Sequence, residues 1–386
     1  MDLIQIPTPL SLYLHLPWCV SKCPYCDFNS HKAGENAPFD RYVSALKVDI
    51  ENEALRVSER SISSVFIGGG TPSLFTSAQI KSILDQCREH FSIISNCEIT
   101  MEVNPGGAEY GDFPGYLEAG VNRLSIGAQS FDSVMLQALG RIHGPAEIRT
   151  AFSSAIKAGF DNINIDLMFA LPGQKVDQAA ADISNAVELS PQHISYYQLT
   201  LEPNTVFYKY PPKGIPNDDI AWEMQNKGHQ LLKNAGYQQY EISAFAQPGR
   251  CCFHNSNYWQ FGDYLAAGAG AHGKLRTKNG KIIRYRKTYN PQEFIEQVET
   301  GCLVDNSSYV ADKDLVFEFM LNALRMQDGF SIGMFQERTG LDSMLIEAKL
   351  RIAAADGLLE RVDDDRWRPT HNGFRFLNDL QARFLP

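Results

Sequence analysis

The stretch Cys19-Val-Ser-Lys-Cys23-Pro-Tyr-Cys26 places three thiols within eight residues, at the spacing C-x3-C-x2-C. It follows an apolar run, residues 11–16, that has the composition of a short strand. A loop this short can direct three thiolates at one inorganic centre. Iron–sulfur clusters usually take four protein thiolates, so three would leave one iron of a cubane [4Fe–4S] cluster open. The stretch therefore predicts a [4Fe–4S] cluster held by Cys19, Cys23 and Cys26.

Two other interpretations of these thiols remain open at this point. His31 lies five residues after Cys26, and three cysteines with one histidine are the ligand types of a Cys3His zinc site. Cys23 and Cys26 alone could instead form a redox-active dithiol. The rest of the chain favours the cluster over both.

The composition bounds the function. The chain has 386 residues, enough for more than one domain, and a net charge of −10 from 35 basic and 45 acidic residues. This charge argues against nucleic acid as a partner, because phosphate contacts need clustered Lys and Arg. No apolar stretch reaches the roughly 20 residues that span a bilayer, and the N-terminus lacks the basic region of a secretion signal. Eight cysteines, three in one metal-type cluster, fit a reducing compartment, so we expect a cytoplasmic protein.

Strand-like and helix-like segments alternate along the first two thirds of the chain, which predicts a parallel α/β sheet. Their number fits a partial or open TIM-type β/α barrel, whose active site lies at the C-terminal ends of the strands. We assign residues 1–290 to this barrel and residues 291–386 to a small helical, winged-helix-like C-terminal domain. The predicted strands are residues 11–16, 64–68, 97–103, 123–128, 162–168, 193–199 and 240–243.

Polar residues recur where these predicted strands end. Any one of them alone is more simply explained as a satisfied structural residue. Together they surround the same barrel mouth as the cysteine loop, which favours a single ligand site. The strand-end residues are Gly69, Gly70, Thr71, Glu102, Gln129, Arg141 and Asp166.

The cysteine spacing resembles the signature of the radical S-adenosylmethionine (SAM) superfamily. This resemblance implies that the amino and carboxylate groups of SAM chelate the open iron, and that the cluster donates an electron that splits SAM. The strand-end residues suit this ligand. Glu102 and Asp166 could accept hydrogen bonds from hydroxyls or the amine, Arg141 could pair with the carboxylate, and Tyr25 could stack on the adenine.

Longer motifs resemble one branch of this superfamily, the oxygen-independent coproporphyrinogen III oxidase group. They include Gly68-Gly-Gly-Thr-Pro-Ser, Glu102-Val-Asn-Pro, Leu124-Ser-Ile-Gly-Ala-Gln-Ser-Phe and Ile165-Asp-Leu-Met-Phe-Ala-Leu-Pro-Gly. The resemblance covers almost the whole chain, including the C-terminal domain. It implies that SAM is contacted by Tyr13, Tyr25, Gly69, Gly70, Thr71, Glu102, Gln129, Arg141 and Asp166.

Two departures from the oxidases matter. Phe28 stands where they have a fourth cysteine, and only 18 residues precede Cys19 where they have a long arm over the substrate. Both departures match a sister family of heme chaperones. That resemblance implies binding of heme and its transfer to acceptor proteins, for which respiratory and membrane-associated proteins are candidates. Coproporphyrinogen oxidation is not expected, and the monomeric or dimeric state stays open.

The heme chaperones share a His-Asn-x-x-Tyr-Trp motif that is associated with heme binding, here residues 254–259. We expect His254 to be the axial ligand and Tyr258 to pack on the porphyrin; Cys251, Cys252 and His272 are weaker candidates. His254 could instead be a satisfied polar residue that closes the barrel. Two enzymatic alternatives also remain, a coproporphyrinogen III oxidase and a radical SAM enzyme acting on an unrelated substrate.

Overall fold

A computed structural model describes residues 8–57, 60–106 and 112–386. The strands are β1 Leu10–Leu16, β2 Trp18–Cys19, β3 His31–Lys32, β4 Ser61–Gly69, β5 Ser92–Val103, β6 Arg123–Gln129, β7 Ile163–Phe169, β8 His193–Gln198, β9 Gln238–Glu241, β10 Ala244–Ala246, β11 Asp263–Ala267, β12 His272–Arg276, β13 Ile282–Arg286, β14 Asn306–Tyr309, β15 Phe330–Ser331, β16 Leu359–Arg361 and β17 Arg366–Pro369.

The helices lie between these strands. In addition to a 3-10 helix at Pro72–Leu74, the helices are α1 Phe39–Ala54, α2 Ser77–His90, α3 Phe113–Ala119, α4 Ser133–Ala138, α5 Pro145–Ala158, α6 Val176–Glu188, α7 Val206–Lys209, α8 Asp218–Asn234, α9 Phe253–Trp259, α10 Pro291–Glu299, α11 Asp312–Ala323, α12 Ile332–Thr339, α13 Met344–Ala355, α14 His371–Arg375 and α15 Leu377–Ala382.

Twelve strands form one sheet, in the order β14-β13-β12-β11-β1-β4-β5-β6-β7-β8-β10-β9. The seven strands from β11 to β8 run parallel, and antiparallel strands extend both edges. The edge strands β14 and β9 do not pair with each other in the described part of the chain. The predicted partial or open barrel with outer helices is therefore confirmed.

The inner face of strands β6 to β8 is polar. Arg123, Ser125, Gly127 and Gln129 alternate along β6 and all face the interior, because successive side chains of a strand point to opposite faces. β7 and β8 repeat this pattern with inward-facing residues such as Asn164 and His193. TIM barrels usually carry branched apolar residues at such interior positions. The barrel interior is consequently hollow and polar rather than packed.

The C-terminal domain has a hydrophobic core of its own, built mainly from α11 to α13, α15 and the three-stranded sheet β15-β17-β16. Residues 291–309, which the sequence placed with this domain, pack with the barrel instead. Phe294 and Ile295 of α10 belong to the main core, and β14 pairs with β13. The division at residue 290 stays a prediction; from this packing we propose that the second domain begins near residue 310.

The strands and the helix between residues 253 and 286 were not predicted. Helix α9 has seven residues, too few for a clear helical period. β12 carries a buried lysine, Lys274, whose Nζ donates to the carbonyl of Phe261 at 3.0 Å and lies 3.5 Å from Asp263. A buried, paired charge of this kind interrupts the alternation of apolar and polar residues by which a strand is predicted.

Candidate functional site

A cavity of about 380 Å³ occupies the barrel interior and reaches the C-terminal ends of the parallel strands. All three cysteines of the loop line it, as do eight of the nine predicted SAM-contacting residues. Both the first and last residues of β6, Arg123 and Gln129, face the cavity, so it extends about 20 Å along this strand. We call the end near the cysteines the mouth and the end near Arg123 the floor.

The cysteine loop lies at the mouth of the cavity, and backbone contacts fix its shape. Cys19 lies in β2, which pairs with β3, and a turn brings the amide of Cys26 to the carbonyl of Cys23 at 3.1 Å. All three thiols are free and partly exposed. Burial raises the pKa of Cys19 to about 11 and also raises that of Cys26. Coordination to iron would reverse this effect, because a coordinating thiol is deprotonated and releases its proton to solvent.

The loop does not form a site for a single ion. No group of three or more His, Cys, Asp or Glu side chains within residues 8–57, 60–106 and 112–386 could hold a metal ion. His31, the proposed fourth zinc ligand, is hydrogen-bonded through Nε2 to Asn29 Oδ1 at 2.8 Å. Thiolates of a cubane bind different irons, so they stand further apart than the ligands of one zinc ion. His31 could join the thiols as a zinc ligand through Nε2 only by giving up its bond to Asn29.

A chain of hydrogen bonds connects the cysteine loop to three strands at the mouth. The Arg141 guanidinium donates to Asn104 Oδ1 at 2.7 Å, to the carbonyl of Gly127 at 2.8 Å and to Cys23 Sγ at 3.6 Å. Asn104 in turn donates to Thr71 Oγ1 at 2.9 Å. Because each member is satisfied by the next, this part of the site is organised before any ligand binds.

The glycines after β4 allow close approach of backbone and ligand. Gly69 has φ +112°, a conformation that favours glycine, and its amide donates to Glu102 Oε2 at 3.1 Å. A Cβ at Gly69 would lie 2.4 Å from the ring of His15, and one at Gly70 would lie 2.5 Å from the carbonyl of Trp18. These two positions therefore need glycine for steric reasons, whether or not they also contact SAM.

Two carboxylates, Glu102 and Asp166, line the cavity within electrostatic reach of each other. Burial raises the pKa of Glu102 to about 7, and the charge of Asp166 adds to the effect. Asp166 accepts hydrogen bonds from Ser125 Oγ at 2.9 Å and Asn164 Nδ2 at 2.8 Å, which fix its position. A hydroxyl or ammonium group between the carboxylates would stabilise the ionised form of Glu102.

Aromatic and amide groups complete the mouth. Gln129 has φ +68°, rare for a residue other than glycine, and its Oε1 accepts from the hydroxyl of Tyr197 at 2.7 Å. Tyr25 faces the cavity and packs against Phe207 of α7. Its ring is placed where it could stack on a planar ligand.

Tyr13 is the predicted SAM residue that does not line the cavity. It lies on β1, its hydroxyl bonds to His15 Nδ1 at 3.0 Å, and burial raises its pKa. Its ring is 6.3 Å from that of Phe66 and 6.5 Å from that of His254. Tyr13 thus packs between the mouth and the heme-motif helix α9.

The predicted heme motif forms helix α9, and Glu98 anchors the start of this helix. Glu98 accepts from Cys252 Sγ at 3.4 Å and from the amides of Phe253 and His254 at 3.1 Å. His254 is buried, with its Nδ1 3.3 Å from Ser64 Oγ, and burial lowers its pKa to about 3. The imidazole is therefore neutral near pH 7, as an iron ligand must be.

Only part of this motif faces the cavity. Asn255 and Trp259 line it, whereas His254 and Tyr258 do not. The ring of Tyr258 packs edge-on against that of Trp259, with centroids 4.9 Å apart. The structure therefore brings the motif to the cavity through Trp259, and His254 would need a shift of α9 to reach a ligand there.

Sequence reasoning missed the residues on the cavity floor. Arg123 begins β6, and a charged residue at the start of a strand usually faces solvent. The period of two from Arg123 through Ser125 to Gln129 was the signal that could have found it. The other polar residues that it missed in this cavity include Asn104, Ser125, Asn164, His193, Ser195, Tyr197, Glu241 and Ser243.

Comparison with known families agrees with this architecture. The Radical SAM superfamily matches residues 13–184, and the HemN C-terminal domain matches residues 310–376. The cysteine loop and all of the strand-end residues fall within the first match. The second begins where α11 and the separate C-terminal core begin.

Several curated proteins are similar over nearly their full length. The heme chaperone HemW of Escherichia coli (strain K12) is 45% identical over 383 residues, 99% of this chain and 100% of that protein. Those of Haemophilus influenzae and Bacillus subtilis (strain 168) are 44% and 34% identical, and cover 98% and 97% of this chain and 98% and 99% of their own lengths. Among solved structures, the E. coli radical SAM enzyme coproporphyrinogen III oxidase (HemN) has the same fold, with TM-score 0.82, 24% identity, and coverage of 98% of this chain and 90% of that one.

Proposed function

Because the chain belongs to the HemW family of heme chaperones, with a radical SAM fold, we propose that it binds heme and delivers it to acceptor proteins. Heme is the cargo in this proposal, and the [4Fe–4S] cluster and SAM are resident cofactors. The observation that carries it is the cavity itself. One continuous space is lined at its mouth by the three cysteines and on another side by Asn255 and Trp259 of the heme motif.

We assign the cluster to Cys19, Cys23 and Cys26, and SAM to the mouth beside them. When bound, the cluster supplies an electron and an open iron for the amino and carboxylate groups of SAM. Arg141 holds the loop through Cys23, and Glu102 and Asp166 offer acceptors to the hydroxyls or amine of SAM. Tyr25 supports the adenine, and Gly69, Gly70, Thr71 and Gln129 shape the remaining wall.

The position of Phe28 supports a carrier rather than an oxidase. Phe28 occupies the place of the oxidases' fourth cysteine and is 57% exposed beside the cluster loop. A phenyl ring cannot ligate iron or transfer a proton, so this position contributes only apolar surface. Exposed apolar surface next to a binding cavity suits handover to another protein.

We place this activity in the cytoplasm, with heme-accepting proteins as partners. The eight cysteines are all free, which suits a compartment that keeps thiols reduced. Among the described residues, no helix has both the length and the apolar character needed to cross a membrane. In this proposal the chaperone delivers heme to membrane-associated respiratory enzymes by docking on them.

The test is a transfer assay under anaerobic conditions. The protein is reconstituted with iron and sulfide, loaded with one heme and mixed with the apo form of a heme-dependent respiratory enzyme. We expect the acceptor to gain heme and activity faster than it does from free heme with albumin as a neutral carrier. Absence of heme binding, or transfer no faster than from albumin, would contradict the proposal.

A genetic test separates the chaperone from the oxidase. Expression in a strain that lacks the oxygen-independent oxidase should leave anaerobic heme synthesis defective, because Phe28 replaces the fourth cysteine. A strain expressing a true oxidase provides the positive control. Full rescue by this chain would favour coproporphyrinogen oxidation instead.

A further inference from the structure

Arg123 has a buried guanidinium whose hydrogen-bonding capacity is unused. The residue is 2% exposed, and its Nε has no hydrogen-bond partner. Its closest described counter-charge is Glu98 Oε2, 3.9 Å from Nε, which is beyond hydrogen-bond distance. The Nε–H group is thus a buried donor without an acceptor, which is costly. Such an exception in a cavity wall points to a missing ligand.

Glu98 cannot supply the acceptors that Arg123 lacks. Its two oxygens already accept hydrogen bonds from Cys252 Sγ and from the amides of Phe253 and His254, all at the start of α9. Glu98 therefore interacts with the charge of Arg123 electrostatically, at 3.9 Å, but accepts no hydrogen bond from the guanidinium. The guanidinium remains free to bind a second anion from the side of the cavity.

The described polar neighbours of Arg123 are either neutral or already bonded to other groups. His193 stands beside it, bonded to Asn164 at 2.6 Å and to the Tyr240 hydroxyl at 2.9 Å. Burial and the charge of Arg123 hold the pKa of His193 well below its usual range, so the imidazole adds no competing charge. Asp166 is engaged by Ser125 and Asn164. Glu241, which also lines the cavity, accepts from the Ser243 hydroxyl at 2.9 Å and pairs with Arg325 at 3.2 Å.

Arg123 also lies close to the heme motif. The charge of its guanidinium lowers the pKa of His254, which places Arg123 within electrostatic reach of that imidazole. Asn255 and Trp259 of the motif line the same cavity as Arg123. At the other end of the cavity, Arg141 is already bonded to Asn104, Gly127 and Cys23. The two arginines therefore serve different ends of one cavity.

We propose that Arg123 is a carboxylate-binding residue of the cavity floor, and that the carboxylate is a propionate of heme bound against Trp259. The planar fork of a guanidinium matches a carboxylate with two parallel hydrogen bonds, and these bonds are strong when buried. This assignment rests on the proposed function, since it takes heme as the ligand. It fixes the orientation of heme, with a propionate edge inward.

The test compares heme with heme dimethyl ester, in which both propionates are esterified, on the unmodified protein. Spectroscopic titration should give at least about tenfold weaker binding of the ester, since one charge-assisted bidentate contact is lost. In Arg123→Met the two porphyrins should bind with similar affinity. Because this variant leaves Glu98 buried without its counter-charge, E98Q/R123M is measured beside it. Arg41→Met, at an exposed ion pair with Glu299, is the matched control and should keep the full preference for heme.

The outcomes separate the two proposals. Equal affinity of the unmodified protein for heme and its ester would overturn the role of Arg123 and leave the chaperone function standing. Absence of binding of either porphyrin would contradict both. If Arg123→Met lost SAM affinity and kept its preference for heme over the ester, the carboxylate would belong to SAM, and the propionate assignment would be wrong.

Discussion

The two ends of the cavity differ in how far their polar groups are satisfied. At the mouth, Thr71, Asn104, Arg141 and Cys23 form a continuous hydrogen-bonded chain. At the floor, the guanidinium of Arg123 makes no hydrogen bond to any residue that the structure describes. The mouth is thus rigid and prepared for cofactors that stay bound. The floor becomes complete only with a ligand, as expected for a cargo that arrives and leaves.

His254 of the heme motif lines neither end of the cavity. His254 is satisfied by Ser64 and held by Glu98, so its helix is stable with the imidazole turned away from the cavity. A chaperone must release its cargo. If part of the binding free energy of heme is used to shift α9, heme is held less tightly than in a preformed site. The difference between mouth and motif therefore agrees with tight cofactors and an exchangeable heme.

The largest effect should follow removal of a mouth thiolate. Cys19→Ala should lose the cluster entirely, because two thiolates cannot hold a cubane that already has an open iron. Iron analysis should fall from about four per chain to near zero, while heme affinity stays within about twofold. The matched control is Cys302→Ala, an exposed thiol far from the loop in sequence. A normal iron content in Cys19→Ala would place the cluster elsewhere.

At the motif, we expect His254→Ala to weaken heme binding about tenfold or more and to shift the Soret band. The cluster and SAM binding should remain, because His254 does not line the mouth. Tyr258→Phe keeps the ring and should leave the Soret band unchanged. An unaltered spectrum in His254→Ala would move the axial ligand to Cys251, Cys252 or His272.

The carboxylates of the mouth should make SAM binding depend on pH. With a Glu102 pKa of about 7, SAM affinity should rise about tenfold between pH 6 and pH 8 as the carboxylate ionises. Because the folded state holds this proton more tightly than the unfolded state, stability should fall as pH rises from about 4.5 to about 7. Glu102→Gln should remove both dependences. Persistence of the pH profile in this variant would assign the titration to another group.

The smallest effect concerns the joint between the barrel and the C-terminal domain. Arg325 stacks on Trp259 at 4.1 Å from the ring centroid and pairs with Glu241 at 3.2 Å. Arg325→Ala should cost about 1–2 kcal/mol of unfolding free energy and change heme affinity by less than about threefold. Arg361→Ala, at an exposed ion pair with Asp364, is the control and should cost less. A larger loss of heme affinity would make this joint part of the heme site.

Much of the mouth could be predicted from the sequence, and little of the floor. Glu102 and Asp166 lie near the C-terminal ends of predicted strands, and Arg141 follows another. Parallel strands bring these ends together. Arg123 stands at the other end of a strand, where its inward direction depends on the register of β6 with β5 and β7. The helix at residues 253–259 was also missed, because its start is fixed by Glu98, 155 residues away from Phe253. Contacts at this sequence separation leave no local pattern.

The central claim is that one cavity joins the cofactors to the heme. The most direct measurement is an anaerobic crystal structure of the reconstituted protein with SAM and heme. We predict a cluster on Cys19, Cys23 and Cys26, SAM at the mouth, and a porphyrin on Trp259 with a propionate within hydrogen-bond distance of Arg123. Heme bound on an outer surface, with Arg123 still without a ligand, would contradict the account.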